Sequence, residues 1–233
     1  MQEVNNPSTG AKAMVFGHLS FEQIAEGIRQ QMAMENLTPF IPSKTRIPLN
    51  VPTYSSPEVI EALDSLMSTW VTMGKKVKAF EGMFASYIGR KHAVMVNSGS
   101  SANLLALSAL NLQPGDEVIT PALTWATTVF PIAQVGATPV LVDVERASYN
   151  ISPRAIKAAI TSHTKAIMPV HLLGNPCNMD AIMDIARAHH LYVVEDCCEA
   201  HGAEYQGKKV GSFGDISTFS FFFSHHISTI EGG

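Results

Sequence analysis

The stretch "KAIMPVHLLGNPCNMDAIMDIARAHHLYVVED" at residues 165–196 decides the fold, because it holds two apolar strands separated by a helix. "KAIMPV" (165–170) and "LYVVED" (191–196) are short apolar runs, and residues 178–190 repeat apolar side chains at helical spacing. A strand, a crossover helix and a second strand make a parallel pair. Strands with almost no polar residues are typical of a parallel sheet that is covered on both faces.

The same alternation continues on both sides of this stretch. It predicts an α/β fold with three layers, in which a mostly parallel sheet has helices on both faces. The further predicted strands are "HAVMVN" (92–97), "EVIT" (117–120), "TPVLVDV" (138–144) and "ISTFSFFF" (216–223), and the further predicted helices are 101–112, 125–135 and 152–161.

The region before the alternation has a different character. The first 18 residues are polar and predict a flexible lead, and residues 37–53 carry four prolines and predict an extended connector. Helices are predicted from Ser20, a plausible N-cap, over 57–70, and between Gly74 and Gly89. We therefore divide the chain into an N-terminal lead and helical segment, 1–50, and a large domain, 51–233.

Composition excludes several classes of protein. Only 15% of the 233 residues are charged and the net charge is −4, which argues against electrostatic binding of nucleic acid. No apolar stretch of about 18 residues is present, so no membrane span is expected, and the N-terminus lacks the pattern of a signal peptide. Three cysteines, Cys177, Cys197 and Cys198, do not make a disulfide framework and indicate a reducing, cytoplasmic location.

Every candidate site residue follows the carboxyl end of a predicted strand, the edge where open α/β sheets bind ligands. The first candidate is "NSGSSAN" at 97–103, where small residues and hydroxyls open a helix. The partial positive charge of a helix N-terminus favours a phosphate there; a helix cap with a tight turn is the alternative. The segment matches neither a P-loop nor a dinucleotide-binding fingerprint.

The next two candidates are Trp125 and the Glu195–Asp196 pair. Trp125 could stack on a planar ring or belong to the core. Asp196 could hold a protonated ring nitrogen or cap a helix. Cys197, Cys198, His171 and His201 raise the question of zinc, but no metal-ligand spacing is present and no metal is assigned. The last candidate is the pair His225–His226, of which at least one should point to the ligand edge.

Together these motifs resemble the fold-type I pyridoxal phosphate enzymes, and more narrowly the DegT/DnrJ/EryC1/StrS family of sugar aminotransferases and dehydratases. The resemblance runs from about Pro52 to Gly233 with the motifs in the same order. It implies an aspartate-aminotransferase-like large domain that binds pyridoxal or pyridoxamine 5′-phosphate. In that arrangement the cofactor phosphate meets Gly99, Ser100, Ser101 and Ser220, the pyridine ring stacks on Trp125, the ring nitrogen pairs with Asp196, and Glu199 lies near the ring hydroxyl.

One position departs from the family pattern. Its aminotransferases carry a lysine that links covalently to the cofactor, in a segment resembling S-F-x-x-x-K-x-I-x-x-x-E-G-G, and here His225 stands in its place, five residues after Ser220. Imidazole forms no stable Schiff base, but it moves protons near neutral pH. The exchange resembles a branch of 3-dehydratases that act on nucleotide-linked 4-keto-6-deoxyhexoses with pyridoxamine 5′-phosphate. We expect His225 to be the acid/base, and His226 less so, because neighbours on an extended segment point to opposite faces.

The resemblance implies further properties. The substrate would be a nucleotide-linked deoxysugar, the full-length protein a homodimer with a reductase partner, and the pathway deoxysugar and lipopolysaccharide biosynthesis. Family members continue into a small C-terminal domain, so the chain is expected to be truncated there. Some dehydratases carry an iron–sulfur cluster; Cys198 matches one ligand, but the others would lie beyond Gly233, so no cluster is assigned. Two alternatives stay open: a sugar aminotransferase that tolerates His225, and an inactive cofactor-binding fragment.

Overall fold

The computed structural model describes residues 3–5, 12–14, 19–35, 40–47 and 54–233. It has two compact units: one combines the residues before position 50 with Tyr54–Thr72, and the other contains Met73–Gly233. Among the described residues, no helix is both long and apolar enough to cross a bilayer. All three cysteines are free thiols.

The first unit contains a small strand pair and two helices. Its elements are β1 (Glu3–Asn5), β2 (Lys12–Met14), α1 (Phe21–Glu35) and α2 (Ser56–Met67). Ser20 begins α1 as predicted: its hydroxyl accepts the backbone N–H of Gln23, whose side chain accepts the backbone N–H of Ser20. Within the predicted flexible lead, β1 and β2 pair antiparallel. A two-stranded ladder needs only backbone groups and no apolar pattern, so no sign of it was visible in the sequence. Of the predicted connector, only 40–47 lies within the described residues.

The second unit contains the five-stranded parallel sheet, in the order β4-β3-β5-β6-β9. Its strands are β3 (Glu117–Pro121), β4 (Thr138–Val142), β5 (Thr164–Ile167), β6 (Tyr192–Asp196) and β9 (Ile216–Thr218). Its helices are α3 (Lys75–Ile88), α4 (Gly99–Ala109), α5 (Ala126–Gln134), α6 (Pro153–Ala159) and α7 (Met179–His189), with a 3-10 turn at Leu172–Gly174.

Alternation along the strands divides the core into two layers. Odd and even residues of a strand face opposite sides of the sheet. Val118, Ala166 and Val194 pack on one side with residues of α4 and α5, and Ile119, Ile167 and Val193 pack on the other with residues of α6 and α7. Helices therefore cover both faces, which confirms the predicted three-layer α/β fold.

Two predicted strands differ from the structure. Residues 92–96 form no strand in the described structure, although Val96 exchanges two backbone hydrogen bonds with Gly233. The strand predicted over 216–223 ends at Thr218. Beyond it, Phe219 and Phe221 pack on aromatic side chains of α3. Aromatic residues that fill a local cluster have the same apolar signature in sequence as a strand.

A hairpin between β6 and β9 was not predicted. It consists of β7 (Glu204–Tyr205) and β8 (Lys208–Lys209), which pair antiparallel. Gln206 and Gly207 join them with φ angles of 51° and 76°, and such a turn requires positive φ at both positions. The Gln-Gly pair was the available signal, but two-residue strands are too short to show alternation.

Candidate functional site

A cleft of about 400 Å³ opens at the carboxyl edge of the sheet in the second unit. Its walls come from the start of α4, the segment before and within α5, the loop after β6, and the segment that follows β9. Of the predicted site residues, the cleft is lined by Gly99, Ser100, Trp125, Asp196, Glu199, Ser220 and His225. Ser101 is the one that does not line it. Seven predicted residues that are far apart in sequence thus meet around one cavity.

The first turn of α4 forms one end of the cleft. Ser98 is the N-cap, and its hydroxyl accepts the backbone N–H of Ser101 at 3.2 Å. Gly99 is required by close packing: a Cβ there would lie 2.5 Å from the Cβ of Ser220 and 3.1 Å from the Sγ of Cys198. The absence of that Cβ lets the Ser220 hydroxyl approach the helix start. The result is a polar, electropositive helix terminus that fits an anion. The helix cap and the phosphate site, which the sequence left as alternatives, are therefore formed by the same residues.

Trp125 stands at the start of α5 as an exposed side chain. It is 74% accessible, so it does not belong to the core of the described residues. Because its ring lines the cleft while contributing little to the core, it offers a flat apolar surface to a planar ligand.

Asp196 lies at the end of β6 and is held by three donors. Its Oδ2 accepts the Thr128 hydroxyl at 2.8 Å and the Asn103 side-chain amide at 3.1 Å. Its Oδ1 accepts the backbone N–H of Cys198 at 3.1 Å. The carboxylate therefore lines the cleft in one fixed orientation, and no regular helix begins at that point for it to cap.

Sequence reasoning included Asn103 in the 97–103 motif without a role for its side chain, and it missed Thr128. Asn103 is buried within α4 and its Oδ1 also accepts the Thr218 hydroxyl at 2.6 Å, so it links the helix, β6 and β9. Thr128 is buried within α5. A polar residue inside an apolar helix was the available signal, but the sequence does not indicate the carboxylate that satisfies it.

Glu195 points to the opposite face of β6 from Asp196 and is fully buried. Its oxygens accept the backbone N–H groups of Gly211, Phe213 and Gly214 and the Nε2–H of His171. The His171 tautomer follows from its Nδ1, which accepts the backbone N–H of Cys177 at 3.0 Å. Burial alone would raise the pKa of Glu195, but the bonds from His171 and Gly214 outweigh it and lower the pKa.

Among the described residues, one group of three has donor atoms close enough for a metal: His171, Glu195 and Cys197, with those atoms within 4.8 Å of one another. The chemistry of the group does not fit an ion. The carboxylate already receives four hydrogen bonds, and burial raises the pKa of Cys197 far above its usual range, whereas metals bind the thiolate. The group is a hydrogen-bonded anchor for the loop 211–214.

His225 and Glu199 form the other end of the cleft. The Glu199 carboxylate accepts the backbone N–H of Leu173 at 2.8 Å. His225 lines the cleft and is partly buried, whereas His226 is exposed and does not line it. Burial, opposed by the charge of Glu199, lowers the pKa of His225. The two histidines occupy different positions, but not because of an extended segment: His225 lies in a turn, where its backbone N–H bonds to the carbonyl of Phe222.

Comparison with known proteins adds a second line of evidence. The sequence model of the DegT/DnrJ/EryC1/StrS aminotransferase family matches residues 54–233. The chain is 47% identical over 189 residues to the GDP-perosamine synthase of Caulobacter vibrioides, covering 81% of this chain and 51% of that protein. It is 45% identical over 198 residues to the GDP-4-keto-6-deoxy-D-mannose 3-dehydratase of Yersinia pseudotuberculosis, covering 81% and 50%.

Solved structures agree with this. Escherichia coli GDP-4-keto-6-deoxy-D-mannose-3-dehydratase with bound hydrated PLP superposes with a TM-score of 0.77 and 44% identity, over 80% of this chain and 50% of that one. The chain spans about half the length of the curated relatives it matches. The family match over residues 54–233 includes the cleft and the sheet that carries it.

Proposed function

Since the chain belongs to the DegT/DnrJ/EryC1/StrS aminotransferase family, we propose that it carries the cofactor site of a nucleotide-sugar 3-dehydratase. The reaction would remove the C3 hydroxyl of a nucleotide-linked 4-keto-6-deoxyhexose with pyridoxamine or pyridoxal 5′-phosphate. The observation that supports this choice is His225, which lines the cleft at the position where the aminotransferase pattern has its lysine. A histidine there can move a proton but cannot retain the cofactor covalently.

The cleft residues fit a phosphorylated pyridine cofactor. The α4 terminus at Gly99 and Ser100, together with the Ser220 hydroxyl, would hold the phosphate, as the absent Cβ at Gly99 allows. Ser101 contributes by its bond to the Ser98 cap. Trp125 would cover one face of the ring.

Asp196 would accept the ring N–H, since Asn103 and Thr128 hold its carboxylate towards the cleft. When bound, the pyridoxamine form of the cofactor would supply an amine for the sugar ketone and a ring that accepts electrons. Glu199 would lie near the ring hydroxyl.

His225 would act as the acid/base. A base has to be neutral before it acts, and burial, opposed by the charge of Glu199, lowers the pKa of His225 and so favours the neutral imidazole. Once it has taken a proton, the carboxylates of Glu199 and Asp196 stabilise the imidazolium, because both act to raise the same pKa. The protonated imidazole of His225 can then donate its proton to the departing C3 hydroxyl.

A sugar aminotransferase is the second candidate, favoured by the 47% identity to GDP-perosamine synthase. An aminotransferase would require His225 to replace the lysine that, in the family pattern, links covalently to the cofactor. We rank it second because imidazole forms no stable Schiff base. An inactive cofactor-binding fragment stays the third candidate.

The remaining expectations concern the whole protein. We propose a nucleotide-linked deoxysugar as substrate, a homodimer in the full-length protein, and a reductase that consumes the product in deoxysugar and lipopolysaccharide biosynthesis. The cytoplasmic location indicated by the three cysteines stays a prediction, and no iron–sulfur cluster is assigned to Cys198.

The test compares histidine variants in the full-length protein. We expect His225→Asn to lose about 10²–10⁴-fold in dehydration rate, the usual contribution of general acid–base assistance. His226→Asn should lose much less, because that side chain does not line the cleft. His225→Lys should instead form a borohydride-reducible covalent adduct with added pyridoxal 5′-phosphate, whereas the wild type should form none at this position.

The outcomes separate the candidates. Equal losses in the two asparagine variants would mean that His225 is not the base. Transamination without dehydration by the wild type would favour the aminotransferase. Retention of the cofactor by the wild type on gel filtration, without dehydration or transamination, would favour the inactive cofactor-binding fragment.

A further inference from the structure

His201 is a half-buried histidine that the proposed mechanism does not use. Both of its ring nitrogens are buried, and neither has a hydrogen-bond partner among the described residues. Burying a polar atom without a partner is unfavourable, so a native protein that does so has a reason for it. Burial, with smaller contributions from His225 and His226, lowers the pKa of His201 to about 4.

The surroundings of His201 indicate what its nitrogens are for. Its ring packs 5.2 Å from the Phe221 ring and 5.5 Å from the Phe219 ring, measured between centroids. Its other ring neighbours are His225 at 6.1 Å and His226 at 6.3 Å. Of these two, His225 lines the cleft and is partly buried, and His226 is exposed to water.

We propose that His201 is a positioning residue, a neutral hydrogen-bond acceptor that holds and orients His225 while His225 carries a proton. This inference rests on the proposed function of His225. No covalent bond changes: His225 gains a proton in the cleft, donates one of its N–H groups to a free nitrogen of His201, and keeps its second N–H for the departing hydroxyl. An N–H···N bond of about 2.9 Å places two imidazole centroids about 5 Å apart. A movement of about 1 Å by the partly buried His225 side chain closes that bond, within the range of ordinary side-chain motion.

The direction of the effect on His225 follows from the charges around it. His201 is neutral above about pH 4, so at neutral pH it contributes an acceptor and no positive charge. Glu199 and Asp196 favour the protonated form of His225, His226 disfavours it, and Glu231 lines the same cleft. On the His201 side, Tyr87 of α3 approaches the adjacent Gly202. Removing an acceptor from this set should lower the pKa of His225, whereas removing a like charge would raise it.

The experiment is a histidine NMR titration of the wild type and His201→Phe, with the His225 signal assigned by its loss in His225→Asn. Phenylalanine keeps the aromatic packing against Phe219 and Phe221 and removes both nitrogens. We expect the His225 midpoint to fall by about one pH unit, the scale for losing one hydrogen bond to a charged group. His163 is exposed at the opposite, amino edge of the sheet, so its midpoint should stay constant.

His201→Gln, which retains an acceptor, should give a smaller decrease, and it carries the same measurement if His201→Phe does not fold. An unchanged or raised His225 midpoint in a folded variant, or a change at His226 alone, would overturn the proposal. A packing role for His201 predicts that unchanged midpoint. The titration needs no substrate, so it is independent of the activity assay. If the wild type dehydrates no sugar but the His225 midpoint falls in His201→Phe, the proposed function is refuted and the pairing is not. If the wild type dehydrates the sugar but the His225 midpoint does not fall in His201→Phe, the pairing alone is refuted.

Discussion

Glu195→Gln should destabilise the second unit strongly although it changes a single atom. Each Glu195 oxygen accepts two bonds: Oε1 from Phe213 and Gly214 at 2.8 and 2.7 Å, and Oε2 from Gly211 and His171 at 2.8 and 3.2 Å. In either orientation, the glutamine NH2 would face two donors. Two buried donors then lose their acceptor, at about 1–3 kcal/mol each, so we expect a loss of about 4 kcal/mol in the free energy of unfolding.

The pH dependence provides an independent check. The folded-state pKa of Glu195 lies below its ordinary value of 4.5, so its stabilisation is fully present above about pH 4.5 and is lost as pH falls through the folded pKa. The difference between the wild type and Glu195→Gln should therefore narrow in acid.

Urea unfolding followed by circular dichroism, at neutral and at acidic pH, measures this difference. Glu204→Gln is the matched control, since Glu204 is an exposed partner of Lys209 and should cost less than about 1 kcal/mol. A Glu195→Gln loss below about 1 kcal/mol, or a difference that widens in acid, would refute the reasoning.

Three further changes test the cleft. Asp196→Asn should slow turnover by about 100-fold or more, the scale for losing one preorganised electrostatic contact. The control Asp184→Asn, at an exposed position, should leave turnover unchanged. Steady-state rates measure this, and wild-type turnover in Asp196→Asn would contradict the assignment. Trp125→Ala should weaken binding of pyridoxal 5′-phosphate by about tenfold, taking about 1–3 kcal/mol for stacking on an aromatic ring, with little change in melting temperature because the side chain is 74% exposed; early melting with normal binding in a spectroscopic titration would mean a structural role. Gly99→Ala should displace Ser220, which a Cβ would approach to 2.5 Å, and should weaken binding of inorganic phosphate. Gly82→Ala, with open space at its Cβ, should not weaken that binding. Equal phosphate affinity in the two variants would refute the role of this close approach.

The layers of the fold were predictable because they depend on the alternation of apolar strands and helices along the chain. Val118 and Ile119 are adjacent in sequence and belong to the two different cores, as a covered parallel sheet requires. Strands were less predictable where they depend on pairing with a neighbour: residues 92–96 are apolar enough for a strand, but in the described structure their backbone pairing is limited to Val96 with Gly233.

The candidate site divides in the same way. Gly99, Asp196 and Ser220 belong to short local motifs and could be selected from the sequence. The roles of Asn103 and Thr128 could not be predicted, because their partner Asp196 lies 93 and 68 residues away. A buried polar side chain in a helix looks the same in sequence whether it binds water, a backbone carbonyl or a carboxylate. His201 was noted only as a metal candidate, and its missing hydrogen bonds are visible only in three dimensions.

The Glu195–Asp196 pair shows how one strand serves both stability and chemistry. Successive side chains of β6 leave opposite faces of the sheet, so one carboxylate is enclosed by a loop and the other opens to the cleft. Glu195 has all of its bonds to protein donors that are fixed by the fold. Asp196 receives three and still lines the cavity. Two acidic neighbours on a buried strand would repel if they shared a face; because they do not, the anchor on one side can be rigid without restricting the group offered to a ligand on the other.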